Sequence, residues 1–407
     1  MREIKGKFSS AIIYTDTVED TALDQLMLLC DQPFTENCKI RIMPDCHAGT
    51  GCVIGFTADL GDKVIPNIVG VDIGCGMLTV ELGKCTIDFE RFDNTLRSTV
   101  PSGKNVHEGR IVRFPDLQQL HCYRYLKDSK RIERSIGTLG GGNHFIELDR
   151  DDDGKVYLII HTGSRNLGTQ VANHYQHLAY ELSLGKDELF EKQMRLIEEY
   201  KAMGRRKEIQ QAIKELHKSF KPKMPTLPRE LCYLTGEYRE MYLHDMKICQ
   251  EFAVLNRKTI AQSILNGYFG KDIDCFEYFE TIHNYIDMEY NIIRKGAVSA
   301  KQGEKLLIPI NMKDDSLICT GKGNPEWNFS APHGAGRLFS RTAAKEMFSV
   351  EEFRQAMQGI YTTSVNENTL DESPFAYKNM DDIVGNIAPT ADITAVIKPI
   401  YNFKADG

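Results

Sequence analysis

Five short segments of this chain each place a histidine, a cysteine or a carboxylate beside glycines. Glycine lets a backbone approach a ligand closely and adopt conformations that are closed to other residues. Such segments are typical of an active site. They are PDCHAGTG (Pro44 to Gly51), VGVDIGCGM (Val69 to Met77), GTLGGGNHFIE (Gly137 to Glu147), HTGSRNLG (His161 to Gly168) and PHGAGR (Pro332 to Arg337).

The first chemistry that these segments suggest is metal binding. Asp72 and Cys75 lie three residues apart around glycines, where a turn can aim both side chains at one point. His144 and His161 adjoin glycine-rich loops at apparent strand ends, and His283 in the helical-looking ETIHNYIDMEY is a further candidate. A carboxylate, a thiolate and imidazoles suit Mn, Zn, Fe or Co rather than Mg or Ca. Any one of these groups alone is more often a core or surface residue, but the set of them favours a metal site.

The second chemistry is phosphate or nucleotide binding, for which the signal is weaker. No GxxxxGK[ST] occurs, which excludes a P-loop, and GTLGGGNH resembles a GxGxxG dinucleotide loop only loosely. Arg165, Lys295, Arg337 and Arg341 lie in or beside the dense segments, where guanidinium contacts to phosphate are expected. The alternative for each of these side chains is an ordinary surface salt bridge.

Composition restricts the class of protein that carries these segments. A chain of 407 residues, 42% of them hydrophobic, can bury the core of one large domain or of two closely merged ones. The opening MREIKGKFSSAIIY resembles no signal peptide, and no run of about 18 apolar residues occurs, so we expect a cytosolic protein without membrane insertion. Eleven cysteines without a CxxC pair favour reduced thiols. A net charge of −7 argues against indiscriminate adhesion to nucleic acid, although a local basic surface stays possible.

The elements that must position the chemical groups alternate along the chain. In the first third, KIRIM leads into PDCHAGTG, GMLTVEL follows DIGCG, and VYLIIHT carries His161, so functional groups sit at strand ends. The middle, roughly residues 171–267, has the apolar spacing of helices, interrupted by the proline-rich loop KPKMPTLPRE. The last third returns to short strands (LLIPI, SLICT), helical patterns after His333 and Ser349, and a terminal strand from Thr394.

These motifs, with RKGAVSA, HGAGRLFSR and PFAYKNMDDI, occur in the order found in RtcB-type RNA ligases, and the chain resembles that family along nearly its whole length. The resemblance implies the RtcB α+β fold, with mixed sheets and surrounding helices about a central pocket, as one catalytic domain over residues 1–407. It also implies the joining of RNA 2′,3′-cyclic phosphate or 3′-phosphate ends to 5′-hydroxyl ends, with GTP and two Mn²⁺. An accessory activator protein is a further partner that the resemblance allows.

The resemblance also implies roles for single residues. Cys75 is expected to bridge both metals, with His161 and His283 completing one shell and Asp72 and His144 the other. His333 is the expected nucleophile that takes GMP from GTP, and Asp45 is expected to orient it. The expected phosphate contacts are Asn143, Arg165, Asn284, Lys295 and Arg341, the expected guanine contacts are Glu147, Tyr377 and Lys404, and the other nucleotide contacts are Asn311, Gly334, Ala335 and Gly336.

The chain departs from the family pattern at a few positions. Pro309 to Lys313 reads PINMK where the family usually carries PGSMG, Cys46 replaces an apolar residue, and Lys404 lies three residues from the end. His47 is either a metal ligand or a loop histidine that orders its neighbours or contacts phosphate. Two alternative functions therefore stay open: a metal-dependent phosphoesterase or end-modifying enzyme without productive ligation, and a non-catalytic RNA-binding or scaffold protein.

Overall fold

The structure, a computed structural model, describes residues 1–405. Its β-strands lie mainly in the first and last thirds of the chain. They are β1 (Arg2–Lys5), β2 (Ser10–Ile13), β3 (Ile40–His47), β4 (Ile54–Ala58), β5 (Gly76–Lys84), β6 (Phe145–Arg150), β7 (Lys155–Thr162), β8 (Glu277–Ile282), β9 (Asn284–Asp287), β10 (Ile292–Lys295), β11 (Ala297–Ser299), β12 (Lys305–Ile308), β13 (Ser316–Gly321), β14 (Ser330–Pro332), β15 (Tyr361–Thr362) and β16 (Ala391–Lys404).

The longer helices occupy the middle of the chain. The α-helices are α1 (Asp20–Cys30), α2 (Pro66–Val69), α3 (Phe89–Thr99), α4 (Ser129–Arg134), α5 (Arg165–Ser183), α6 (Lys186–Ala202), α7 (Ile209–Ser219), α8 (Gly236–Phe269), α9 (Arg341–Met347), α10 (Val350–Ala356) and α11 (Met380–Ile387). In the part of the chain that the structure describes, no helix carries an apolar stretch long enough to cross a membrane.

Two large sheets organise these elements, so the expected α+β class is confirmed. The first sheet has the strand order β1-β2-β3-β4-β10-β9, and the second has β12-β13-β16-β6-β7-β5-β8, with β15 paired to β16. Most neighbours are antiparallel, whereas β2 and β3 run parallel, as do β15 and β16. Strands β11 and β14 form a separate antiparallel pair. Because β14 ends at Pro332, this pairing fixes the backbone directly before His333.

Helix α8 is the main support of the second sheet. Its apolar residues recur every three or four positions, and its buried residues include Tyr242, Met246, Cys249 and Ala253, as that spacing requires. Farther along, Ile260 and Ile264 belong to one core cluster with residues of β5, β6 and β7. The helix ends where Gly270 adopts a left-handed conformation with φ of 64°.

The remaining helical segments and loops agree with the sequence pattern except at one place. The proline-rich KPKMPTLPRE lies between the end of α7 and the start of α8. The interpretation of ETIHNYIDMEY as helical is wrong, because this segment forms β8 and β9 on either side of His283. Buried residues such as Thr281 and Ile286 are interspersed with more exposed ones in this segment, a pattern that strands also produce. Here β8 pairs with β5, and β9 pairs with β10.

A buried carboxylate fixes α8 against the loop that precedes α4. Asp245 is fully buried, and its oxygens accept hydrogen bonds from the backbone N–H groups of His121 and Cys122 at 2.9 and 3.0 Å. The hydroxyl of Tyr175 on α5 donates to the same carboxylate at 2.7 Å. One side chain therefore joins three segments of the chain.

We expect Asp245→Ala to lower the free energy of unfolding by about 3 kcal/mol, because it leaves buried donors without an acceptor. Urea unfolding followed by circular dichroism measures this change. The matched control is Asp62→Ala, whose side chain is 77% exposed and contacts Lys63 only. Equal stability of the Asp245 variant and the unsubstituted chain would contradict the role of this carboxylate.

Candidate metal and nucleotide site

The turn before β5 presents Asp72 and Cys75, and close packing requires its glycines. Gly74 has a φ of 71°, and a Cβ there would lie 2.9 Å from Gln250 Cα on α8. A Cβ on Gly76 would lie 2.5 Å from the carbonyl oxygen of Thr281. The turn is thus pressed between α8 and β8, which leaves the Cys75 side chain 3% exposed and fixed in direction.

Neighbouring strands bring three histidines to this turn. His161 on β7 is in register with Met77 of β5 and with Phe145 of β6. His144 directly precedes β6, and His283 directly follows β8. Because β6, β7, β5 and β8 are consecutive in the sheet, the three imidazoles meet at one edge of it.

The side-chain atoms form two sets that share one sulfur. Cys75 Sγ lies 3.3 Å from His161 Nε2 and 3.5 Å from His144 Nε2. His161 Nε2 lies 3.4 Å from His283 Nε2, and His144 Nε2 lies 2.9 Å from Asp72 Oδ2. In each set, Cys75 with His161 and His283 or Cys75 with Asp72 and His144, the possible ligand atoms lie within 4.8 Å of one another.

The chemistry of these donors fits a pair of divalent transition metals. Burial is the main cause that lowers the pKa values of His161 and His283, so both imidazoles are neutral and can ligate. Burial and the neighbouring Asp72 raise the pKa of the Cys75 thiol, so a thiolate at this position requires a cation beside it. Three nitrogens, one sulfur and one carboxylate are a donor set typical of Mn, Zn, Fe or Co.

Two buried residues of α8, which sequence reasoning missed, support the metal-site loops. Arg257 is fully buried, and its Nη1 donates to the carbonyl oxygens of Gly74 at 2.9 Å and Thr162 at 2.8 Å. Its Nη2 donates to Glu280 Oε2 at 2.8 Å. Asn256 Oδ1 accepts from the backbone N–H of Gly137 at 2.7 Å. The only signal in the sequence is that these polar residues interrupt the apolar stripe of α8.

A histidine and a carboxylate pair beside the metal set. His333 Nδ1 lies 2.5 Å from Asp45 Oδ2, which also accepts from the backbone N–H of His333 at 3.0 Å. Asp45 is fully buried, and the His333 ring lies with its centroid 4.9 Å from that of His283. Gly336 has a φ of 79°, and a Cβ there would lie 2.1 Å from the Asp45 carbonyl oxygen. An Nδ1–H that donates to Asp45 leaves Nε2 unprotonated and able to attack.

The Asp45 loop is fixed by a lysine that sequence reasoning did not single out. Lys378 Nζ donates to the carbonyl oxygens of Thr17, Pro44 and Cys46 at 2.9, 3.1 and 2.8 Å. The His47 side chain turns back, with Nδ1 2.9 Å from the Asp45 carbonyl oxygen. His47 lines the adjoining cavity and belongs to neither of the two ligand sets that the described residues form here.

A cavity of about 520 Å³ collects most of the residues expected to bind metal or nucleotide. Those in its lining are Asp72, Cys75, Asn143, Glu147, His161, His283, Asn284, Asn311, His333, Gly334, Ala335, Gly336, Arg341, Tyr377 and Lys404. Asp45 and His144 lie behind this lining and contact it through His333, Cys75 and Asp72. The metal set, the His333 pair and the expected guanine contacts therefore share one space.

Two expected phosphate contacts lie outside this cavity. Lys295 is 4% exposed, and its Nζ donates to the carbonyl oxygens of Thr50 at 2.5 Å and Asn67 at 3.0 Å. Arg165 lines a second cavity of about 480 Å³, which also reaches Asp72. Gly140 makes room for Arg165, because a Cβ there would lie 1.8 Å from its Nη1.

The expected guanine contacts are already engaged in hydrogen bonds. Glu147 accepts from Asn402 Nδ2, its cross-strand neighbour, and burial raises the pKa of the Glu147 carboxyl. Tyr377 and Lys404 both donate to Glu372. The amide of Asn311 closes a local turn, since its Oδ1 accepts from the backbone N–H groups of Lys313 and Asp314 at 2.9 Å each.

Fold and site together define an α+β protein with a thiolate-centred metal-ligand set beside a carboxylate-paired histidine. The family model described as tRNA-splicing ligase RtcB matches residues 25–124 and 117–405, and the chain belongs to this family. It is 30% identical to RNA-splicing ligase RtcB of Escherichia coli K12 over 93% of this chain and 92% of that protein. It is 25% identical to tRNA-splicing ligase RtcB of Thermococcus kodakarensis over 88% of this chain and 86% of that protein.

We expect Cys75→Ala to abolish the binding of two Mn²⁺ per chain, because alanine cannot replace a sulfur that both ligand sets share. Metal content after dialysis against manganese, measured by elemental analysis, tests this expectation. The matched control is Cys319→Ala, which removes another buried thiol from β13. Full manganese stoichiometry in the Cys75 variant would contradict the bridge.

Proposed function

We propose that this chain is an RNA ligase that joins 2′,3′-cyclic phosphate or 3′-phosphate ends to 5′-hydroxyl ends, with GTP as co-substrate and two Mn²⁺. The observation that carries the proposal is the His333–Asp45 pair, which opens into the same cavity as the shared-sulfur ligand sets. The names of the relatives support RNA ligation as the activity. Reduced cysteines support a cytoplasmic location, since all eleven are free.

The geometry of His333 supports a covalent nucleotide intermediate. Its Nε2 would attack the α-phosphorus of GTP, so that a P–N bond forms, the bond to the β-phosphate oxygen breaks and pyrophosphate leaves. Asp45 accepts the Nδ1–H throughout and stabilises the positive charge that develops on the ring. The bound cations would be held by Asp72, Cys75, His144, His161 and His283 and would neutralise phosphate charge.

The later steps use the same cavity. A cyclic phosphate is first hydrolysed to a 3′-phosphate, whose oxygen then takes GMP from His333 and restores the free imidazole. The 5′-hydroxyl next attacks the activated 3′-phosphate, and GMP leaves. Asn284 lines this cavity and joins two backbone segments, because its Nδ2 donates to the Asp72 carbonyl oxygen at 3.2 Å and its Oδ1 accepts from Gly296 N–H at 2.9 Å.

A basic groove beside the metal site supports RNA as the substrate. The second cavity is lined by Lys104, Lys127, Arg131 and Arg165, and it shares Asp72 with the first. Lys104, Lys127 and Arg131 are exposed to solvent. Cationic side chains gathered in one groove can bind the phosphates of a nucleic-acid backbone even when the whole chain has a net charge of −7. We assign this groove to an RNA strand that ends at the metal site.

The segment from Pro309 to Lys313 favours a second candidate function, a phosphoesterase that opens cyclic phosphates without joining ends. Ile310 and Met312 are buried there, and the Asn311 amide is engaged in its own turn. Those contacts leave this segment few free polar groups for a nucleotide. Conversion of a cyclic-phosphate end to a 3′-phosphate, with no joined product at any GTP concentration, would identify this function.

We expect His333→Ala to lose all covalent GMP labelling, because no other nitrogen replaces the nucleophile. Incubation with α-labelled GTP and manganese, followed by denaturing electrophoresis, measures the label. His177→Ala is the matched control, since that imidazole is 58% exposed on α5. An unlabelled wild type would contradict the ligase proposal, and a labelled His333→Ala chain would contradict the choice of nucleophile.

We expect the double variant Lys104→Glu, Arg131→Glu to lose most RNA joining while it retains GMP labelling, because the groove binds RNA and the other cavity binds GTP. The slope of log affinity against log salt should fall by about 2, one for each lost phosphate contact. The control is Arg195→Glu with Lys201→Glu on α6, the same change of charge on another surface. RNA affinity equal in both double variants would rule out the groove.

A further inference from the structure

One buried carboxylate, Glu372, collects four hydrogen-bond donors at the nucleotide cavity. Its Oε1 accepts from Arg341 Nη1 at 2.6 Å and from Arg337 Nη1 at 3.2 Å. Its Oε2 accepts from the Tyr377 hydroxyl at 2.6 Å and from Lys404 Nζ. The four donors come from three parts of the chain: Arg337 and Arg341 follow His333, Tyr377 follows a short 3₁₀ helix, and Lys404 ends β16.

Glu372 is negatively charged at neutral pH. Burial alone would raise its pKa, but Lys404, Arg341 and Arg337 outweigh burial and lower the pKa to about 2. Burial and the Glu372 charge together raise the pKa of Tyr377, so the tyrosine stays a hydrogen-bond donor. The carboxylate is therefore ionised at neutral pH and accepts hydrogen bonds from all four groups.

Glu372 itself is 2% exposed and is absent from the lining of the cavity, whereas its four donors all line it. It can influence a ligand only through those donors. Two of them, Tyr377 and Lys404, are expected contacts of the nucleobase, and Arg341 is an expected contact of phosphate. A single carboxylate thus couples the base end and the phosphate end of the cavity.

We propose that Glu372 is a positioning residue that sets the nucleobase selectivity of the site, an inference that rests on the proposed function. An ammonium has three N–H donors, and the one bound to Glu372 fixes the direction of the other two. Held in this way, Lys404 can donate to the O6 carbonyl of guanine but meets an amino group in adenine. Glu147, which lines the same cavity, would accept from guanine N1–H and the 2-amino group, and both of these lie on the same edge of the base as O6.

The test compares binding of GTP and ATP to Glu372→Gln and to the unsubstituted chain, both at equilibrium and as GMP or AMP labelling. A glutamine keeps the volume but presents an NH₂ group or a neutral oxygen to Lys404. We expect the Kd for GTP and the KM for labelling each to rise about tenfold or more. The preference for GTP over ATP should fall by a similar factor. The matched control is Glu351→Gln, an exposed pair with Arg354 on α10.

A double-variant comparison separates positioning from general stability. If Glu372 acts through Lys404, then Glu372→Gln adds little to the loss of selectivity already caused by Lys404→Met. Unchanged GTP preference in a folded Glu372→Gln chain, or fully additive effects of the two substitutions, would overturn the inference.

If Glu372→Gln fails to fold, Glu372→Asp replaces it, since that variant keeps the charge and withdraws the oxygens by one methylene. Its GTP preference should then fall as well, and a preference equal to wild type overturns the inference. A wild type that binds GTP selectively but takes no GMP contradicts the proposed ligase function. Loss of that selectivity in the Glu372→Gln chain would still support the positioning role. A wild type that does not prefer GTP contradicts the positioning role.

Discussion

The arrangement of this site depends on one constraint: the sulfur of Cys75 must face two ligand sets at once. The turn that carries it is pressed so closely between α8 and β8 that glycines are required on both sides of the cysteine. Arg257 on α8 donates hydrogen bonds to the carbonyl oxygens of Gly74 and Thr162. These bonds link the turn that carries Cys75 to the strand that carries His161. The close packing of this backbone brings five candidate ligand side chains, Asp72, Cys75, His144, His161 and His283, to one place.

The same principle, a buried charge that organises groups from distant segments, recurs around the cavity. Asp45 orients His333 and Lys378 in turn fixes the loop of Asp45, while Glu372 gathers the cations and the tyrosine at the nucleotide end. Each of these charges is paired or multiply hydrogen-bonded, as burial demands. His333, Arg341, Tyr377 and Lys404, which line the cavity, are therefore held by two buried carboxylates, Asp45 and Glu372, that do not line it.

Sequence reasoning identified the chemical groups better than their supports. Residue types and glycine spacing single out Asp72 and Cys75 as candidate metal ligands, and the family resemblance adds His333 as the candidate nucleophile. Arg257 and Glu372 were missed, since their roles depend on which backbone carbonyls and cations lie around them after folding. The strand order could not be read from local patterns either, and the segment around His283 was assigned a helix because its alternation is short and its pairing partners are remote in sequence.

The position of β16 has a consequence for how the protein is made. This strand lies between β13 and β6 inside the second sheet, and Asn402 contacts Glu147 across a separation of 255 residues. Contacts of such long range close late, because the entropy of a large loop must be overcome first. Until β16 has left the ribosome, the second sheet therefore lacks the strand that joins β13 to β6, and the cavity lacks the wall that Asn402 and Lys404 supply.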